Sequence, residues 1–106
     1  MAAMNINAKQ YEELVLGSKP VLVDFWAPWC TYCRRINPAL DKIADSRDDV
    51  LVVKVNIDEV PELARQEQIE VIPTLVVYKD GFELGSIVAP ESKARIEEFL
   101  RESLGQ

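Results

Sequence analysis

The sequence predicts an α/β fold in which a central mixed sheet of four to five strands carries helices on both faces. Two short apolar runs, Val21 to Trp26 and Leu51 to Ile57, are rich in β-branched residues and read as buried strands. Segments of helical periodicity surround and separate them. Asp80-Gly81, set between two further runs, is a strong hairpin signal. Crossover helices make the first strands parallel and the hairpin makes the last pair antiparallel.

The elements follow in order. Asn7 can cap a helix in which Tyr11, Leu14 and Val15 share one face, with Gly17 placed to end it. After the first apolar run Pro28 punctuates the chain. From about Thr31 to Asp45 the residues Ile36, Leu40, Ile43 and Ala44 recur at helical spacing, and Pro38 inside that pattern predicts a kink. Pro61 can open a short helix to about Gln68. The hairpin strands run from Thr74 to Tyr78 and from Phe82 to Val88. Ser92 caps a last helix whose inward residues are Ile96, Phe99, Leu100 and Leu104.

At 106 residues the chain is expected to be one domain, 1–106. A net charge of −6 argues against a nucleic-acid partner, since phosphate binding needs clustered Lys and Arg. The first twenty residues lack the basic start and apolar stretch of a secretory signal, and no run approaches membrane-spanning length. The expectation is therefore a cytoplasmic, monomeric protein without a membrane partner. In a reducing cytosol a lone cysteine pair is rarely structural, which favours a redox or metal role.

Both cysteines lie in Trp29-Cys30-Thr31-Tyr32-Cys33, at the junction of the first buried strand and its helix. Two residues between thiols close a very small ring, useful mainly if it is made and broken repeatedly. Within the apolar runs stand two charges, Asp24 and Lys54, and a buried carboxylate is expensive enough that it usually has a task. For Asp24 the structural alternative is an edge strand reaching water, and for Lys54 a stem that snorkels to the surface.

Five motifs in this order resemble the thioredoxin family: Val23-Asp24-Phe25-Trp26-Ala27-Pro28-Trp29-Cys30, Pro38, Lys54-Val55-Asn56-Ile57-Asp58, Ile72-Pro73-Thr74 and Lys79-Asp80-Gly81. The resemblance runs from about Ile6 to Leu104. It implies the thioredoxin fold and a protein-disulfide reductase that acts by dithiol exchange. Its partners would be disulfide-containing proteins and an upstream disulfide reductase.

Cys30 opens a helix, where free backbone N–H groups and the positive end of the dipole favour thiolate, so it is the expected nucleophile. Cys33, one turn further, would resolve the mixed disulfide. The resemblance places Asp24 beneath Cys33 as its proton acceptor, with Lys54 offsetting part of the burial cost. It also gives Pro73 a cis peptide facing the cysteines and offers the Ile72 backbone to an extended substrate. Trp29, Val71, Ile72 and Ala89, with Pro28 and Ile57, would form an apolar rim, while Trp26 packs internally.

The chain departs from the family pattern at three places. Thr31-Tyr32 replaces Gly-Pro; Tyr32 restores a backbone donor in the first turn, which predicts a stabilised thiolate and a weaker reductant. Ala89 stands where the family tends to have Gly and Val71 where a smaller residue is common, which predicts a restricted or altered partner set.

Rival functions are a more oxidising oxidase or isomerase, a glutaredoxin-like enzyme, a passive thioredoxin-fold binding subunit, and a zinc site shared between chains. The chain has no His and no second cysteine pair, so no metal site is expected within one chain. It has no Gly-rich phosphate loop, so no cofactor is expected either.

Overall fold

The computed structural model describes residues 3–106, so the first two positions of the expected 1–106 domain lie outside it. In chain order the elements are β1 (Met4–Asn5), α1 (Ala8–Val15), β2 (Val21–Trp26), α2 (Thr31–Ser46), β3 (Leu51–Asn56), α3 (Pro61–Gln66), β4 (Thr74–Lys79), β5 (Phe82–Val88) and α4 (Lys93–Leu104).

Local chemistry accounts for most boundaries. Asn7 and Gln10 form a reciprocal capping box at α1, and the Ser92 hydroxyl accepts from Arg95 N–H at α4. The hairpin turn has positive φ at both Asp80 (54°) and Gly81 (81°), the requirement of a two-residue connection that matches strand twist. β3 stops at Asn56, one residue short of the expected end, because the Asn56 side chain accepts from Asp58 N–H and turns the chain. α3 stops at Gln66, before Gln68, whose φ of 57° cannot continue a helix. α2 carries Pro38 in its interior and continues to Ser46.

The sheet order is β1-β3-β2-β4-β5, with β1, β3 and β2 parallel and β4 and β5 antiparallel to their neighbours. β1 is the fifth strand of the expected four to five. Two exposed residues carry no alternation, and only the ladder to β3, extended by Ile6 N–H to Lys54 O at 2.9 Å, reveals it.

Two apolar clusters fill the two faces. Tyr11, Val21, Val23, Phe25, Val53, Val55 and Tyr78 pack with α1 and α3. Leu22, Val52, Leu75 and Val77 pack with Ile36, Leu40 and Ile43 of α2 and with Ile96, Phe99 and Leu100 of α4. Strand alternation puts Asp24 and Lys54 on this second face.

Register then gathers one edge of the sheet. Trp26 ends β2 opposite Asn56, Phe25 pairs with Thr74, and Thr74 pairs with Val88. The segments 27–30, 57–60, 71–73 and 89–90 therefore converge at the carboxyl ends of the parallel strands, the usual place for chemistry on such a sheet.

Candidate active site

Ala27-Pro28-Trp29-Cys30 is a tight turn, with Cys30 N–H on Ala27 O at 3.1 Å, and it delivers Cys30 to the N-cap of α2. Cys30 and Cys33 are joined as a disulfide with Cα atoms 5.3 Å apart. The Cys33 N–H donates to Cys30 Sγ at 3.1 Å, so an otherwise orphaned helix-terminal donor rests on the first sulfur. Cys30 is 8% exposed and Cys33 1%. Cys30 is thus the more exposed of the two residues.

The peptide between Ile72 and Pro73 is cis, and Cys30 Sγ lies 3.9 Å from Ile72 O. The Thr74 hydroxyl donates to Val71 O and closes this loop on itself. Around the sulfur Trp29 is 66% and Val71 55% exposed, with Pro28 exposed and Ile57, Ile72 and Ala89 half-buried; Pro73 is buried. Val88, 51% exposed and lining one groove with Val71 and Thr74, adds to the rim. Trp29 is held by its Nε1, which donates to Asp58 Oδ1 at 3.3 Å. Trp26 is half-buried rather than fully internal, with Nε1 donating to Asn5 Oδ1 at 2.8 Å.

Asp24 has no exposed surface, and neither carboxylate oxygen has a hydrogen-bond partner among the described residues. β2 is the central strand, which removes the alternative of an edge reaching water. Desolvation pushes the Asp24 carboxyl up from 3.8 to about 7, with the charge of Lys54 pulling the other way. Lys54 pairs with Asp24 in register, yet its ammonium does not close on the carboxylate. It donates to Asn37 Oδ1 at 2.9 Å and sits 4.6 Å from the centre of the Trp26 ring. At 9% exposure Lys54 is buried, so the snorkelling alternative is not what is observed. Asn37 lies one turn beyond Cys33 on α2, which sets the Lys54–Asn37 bond on the helix face that carries the second cysteine.

The three departures from the family pattern have structural consequences. The backbone N–H that reaches Cys30 Sγ is that of Cys33, not the donor expected from Tyr32. Tyr32 instead extends its hydroxyl to Pro90 O at 3.0 Å. Ala89 has φ 44°, in the left-handed region where a Cβ costs roughly 1–2 kcal/mol, and its N–H bonds Pro73 O at 2.8 Å. Val71 stands exposed beside Ile72. Asn37, Val88 and Pro90 carried no motif signal that would have placed them at the site, and Asp58, the last residue of one family motif, was given no role there.

Among the described residues no group of three or more His, Cys, Asp or Glu could hold a metal ion, and no helix is long and apolar enough to cross a membrane.

Comparison with known proteins fits this arrangement. The thioredoxin family model matches residues 2–102. Thioredoxin 1 of Synechococcus elongatus is 44% identical over 105 residues, covering 98% of each chain. A thioredoxin of Alicyclobacillus acidocaldarius is 38% identical over 104 residues, covering 97% of this chain and 99% of that one. Among solved structures, a Malassezia sympodialis thioredoxin superposes with a TM-score of 0.86 at 31% identity, covering 96% of this chain and 91% of the other. A disulfide between Cys30 and Cys33 at the start of a helix, in a chain with these relatives, is that of a thiol–disulfide oxidoreductase that reduces protein disulfides, and the chain belongs to the thioredoxin family.

Proposed function

We propose that Cys30 is the attacking thiol and Cys33 the resolving thiol of a cytoplasmic, monomeric protein-disulfide reductase. The reading rests on the difference in exposure between the two cysteine residues, 8% against 1%, at the start of one helix.

In the reduced protein the Cys30 thiolate attacks one sulfur of a substrate disulfide. The substrate S–S bond breaks, a Cys30–substrate disulfide forms, and the first substrate sulfur leaves as a thiolate that takes a proton from water. Cys33 then gives its proton to the ionised Asp24, whose carboxyl, held near neutrality by burial, matches the working pH of such a base. The Cys33 thiolate attacks Cys30 Sγ and the second substrate sulfur departs. Two electrons pass to the substrate and the Cys30–Cys33 disulfide is left. An upstream dithiol or flavin-linked disulfide reductase returns two electrons to close the cycle. The Ile72 and Pro73 backbone, Trp29, Val71 and Ala89 hold the extended substrate, Thr31 and Tyr32 border it, and Lys54 tunes Asp24 through space.

Cys30→Ser should abolish reduction of protein disulfides, while Cys33→Ser should still be attacked through Cys30 and accumulate a mixed disulfide visible by mass spectrometry. Trapping of substrate on Cys33 instead would reverse the two roles.

A further inference from the structure

Tyr32 is the second residue of α2, half-buried against the cluster on the α2 and α4 face. Its hydroxyl donates to Pro90 O at 3.0 Å, across 58 residues of sequence. Pro90 is buried and follows Ala89, whose N–H is fixed on Pro73 O at 2.8 Å. Pro73 is joined to Ile72, whose carbonyl lies 3.9 Å from Cys30 Sγ. The contacts thus form a closed belt running Cys30, Tyr32, Pro90, Ala89, Pro73, Ile72 and back to Cys30. Two of its links are made by side chains, the Cys30 sulfur on Ile72 O and the Tyr32 hydroxyl on Pro90 O.

The peptide unit that follows Tyr32 is the one whose N–H belongs to Cys33 and donates to Cys30 Sγ at 3.1 Å. A tether at the far end of Tyr32 adds a restraint to the backbone position from which that peptide starts. We infer that Tyr32 is a positioning residue whose hydroxyl anchor on Pro90 O aims the Cys33 N–H at Cys30 Sγ and so stabilises the Cys30 thiolate. Hydrogen bonds to a charged acceptor are stronger than neutral ones and depend on direction, so loss of aim weakens the thiolate more than the neutral thiol. The inference rests on Cys30 being the attacking thiol. It gives Tyr32 an effect in the direction expected from its backbone, but through another atom.

The test is Tyr32→Phe, which keeps the ring and the backbone N–H and removes only the anchor. In the reduced protein the pH profile of iodoacetamide alkylation at Cys30 should move to higher pH, with the rate below the midpoint falling about threefold. In a glutathione buffer above that midpoint, the ratio of oxidised to reduced variant should rise by about the same factor. The charged residues on the bordering elements, Asp24, Lys54, Arg34, Arg35, Asp58, Glu70 and Glu91, are untouched by the change. A variant that melts as wild type with a superimposed alkylation profile overturns the inference. So does one that melts lower with an unshifted profile, since Tyr32 would then only tie α2 to the 89–90 segment. Selective alkylation of Cys33 in the wild type would instead overturn the assignment of the attacking thiol.

Discussion

The two faces of the sheet bury polar groups in opposite ways. On the α1 and α3 face, Tyr78 donates its hydroxyl to Glu67 at 2.5 Å, the Tyr11 hydroxyl interacts with it, and the two rings meet edge-on at 5.7 Å. Burial raises both phenols well above their ordinary range, so they stay neutral donors. On the α2 and α4 face, Lys54 has taken Asn37 as its partner and Asp24 is left with none. The first arrangement stabilises the fold; the second leaves a carboxyl poised between its two protonation states. Perturbed carboxyls of this kind concentrate at functional sites, which is the ground for the proton-transfer role proposed for Asp24.

The largest test of this contrast is Asp24→Asn. The unfolded chain ionises Asp24 near 3.8, whereas the folded protein holds the proton until about 7. Between those values folding takes up a proton, so rising pH destabilises the wild type. The loss is complete only above about 7, and at roughly 1.36 kcal/mol per unit it amounts to about 4 kcal/mol. Chemical denaturation of the oxidised proteins should therefore show wild type losing about 4 kcal/mol relative to Asp24→Asn between pH 4 and pH 8. Release of substrate from the mixed disulfide should slow in the same variant while attack by Cys30 continues. Parallel pH curves would mean that Asp24 is hydrated in solution and the two faces are alike.

A smaller effect is expected across the sheet. Tyr78→Phe removes the hydroxyl from Glu67 and should lower stability by about 2 kcal/mol at neutral pH, read from the denaturant midpoint. Turnover per folded molecule should not change, because this network touches neither sulfur. A loss of turnover would dissolve the division between a stabilising face and a working face.

Much of this division was legible in the chain. Asp24 and Lys54 announced themselves as charges inside apolar runs, and the pattern of those runs placed them in buried strands. The spacing of Cys30 and Cys33 at a strand-to-helix junction gave the reactive pair. Geometry made by distant segments was not legible. Asn37 reads as an ordinary polar helix residue, and only the packing of α2 on β3 delivers it to Lys54. The left-handed φ of Ala89 breaks the propensity of its own side chain, so local sequence points away from it. The Tyr32 to Pro90 bond joins residues 58 apart, and β1 is too short to show a period.

The finest test concerns why Lys54 stands beside Asp24 without bonding to it. Were the ammonium a partner, its removal would leave an uncompensated buried carboxylate and a broken fold. In the observed geometry Lys54 acts through space: its charge opposes desolvation and holds the Asp24 carboxyl lower than burial alone would. Lys54→Met keeps much of the stem that packs against Trp26 and removes the charge. The pH at which wild-type stability stops falling should then move upward, and the pH dependence of Cys33-linked release should move with it. Coincident shifts in the two profiles identify one carboxyl as the source of both. A shift in stability alone would separate the buried charge from the chemistry and return Asp24 to a purely structural account.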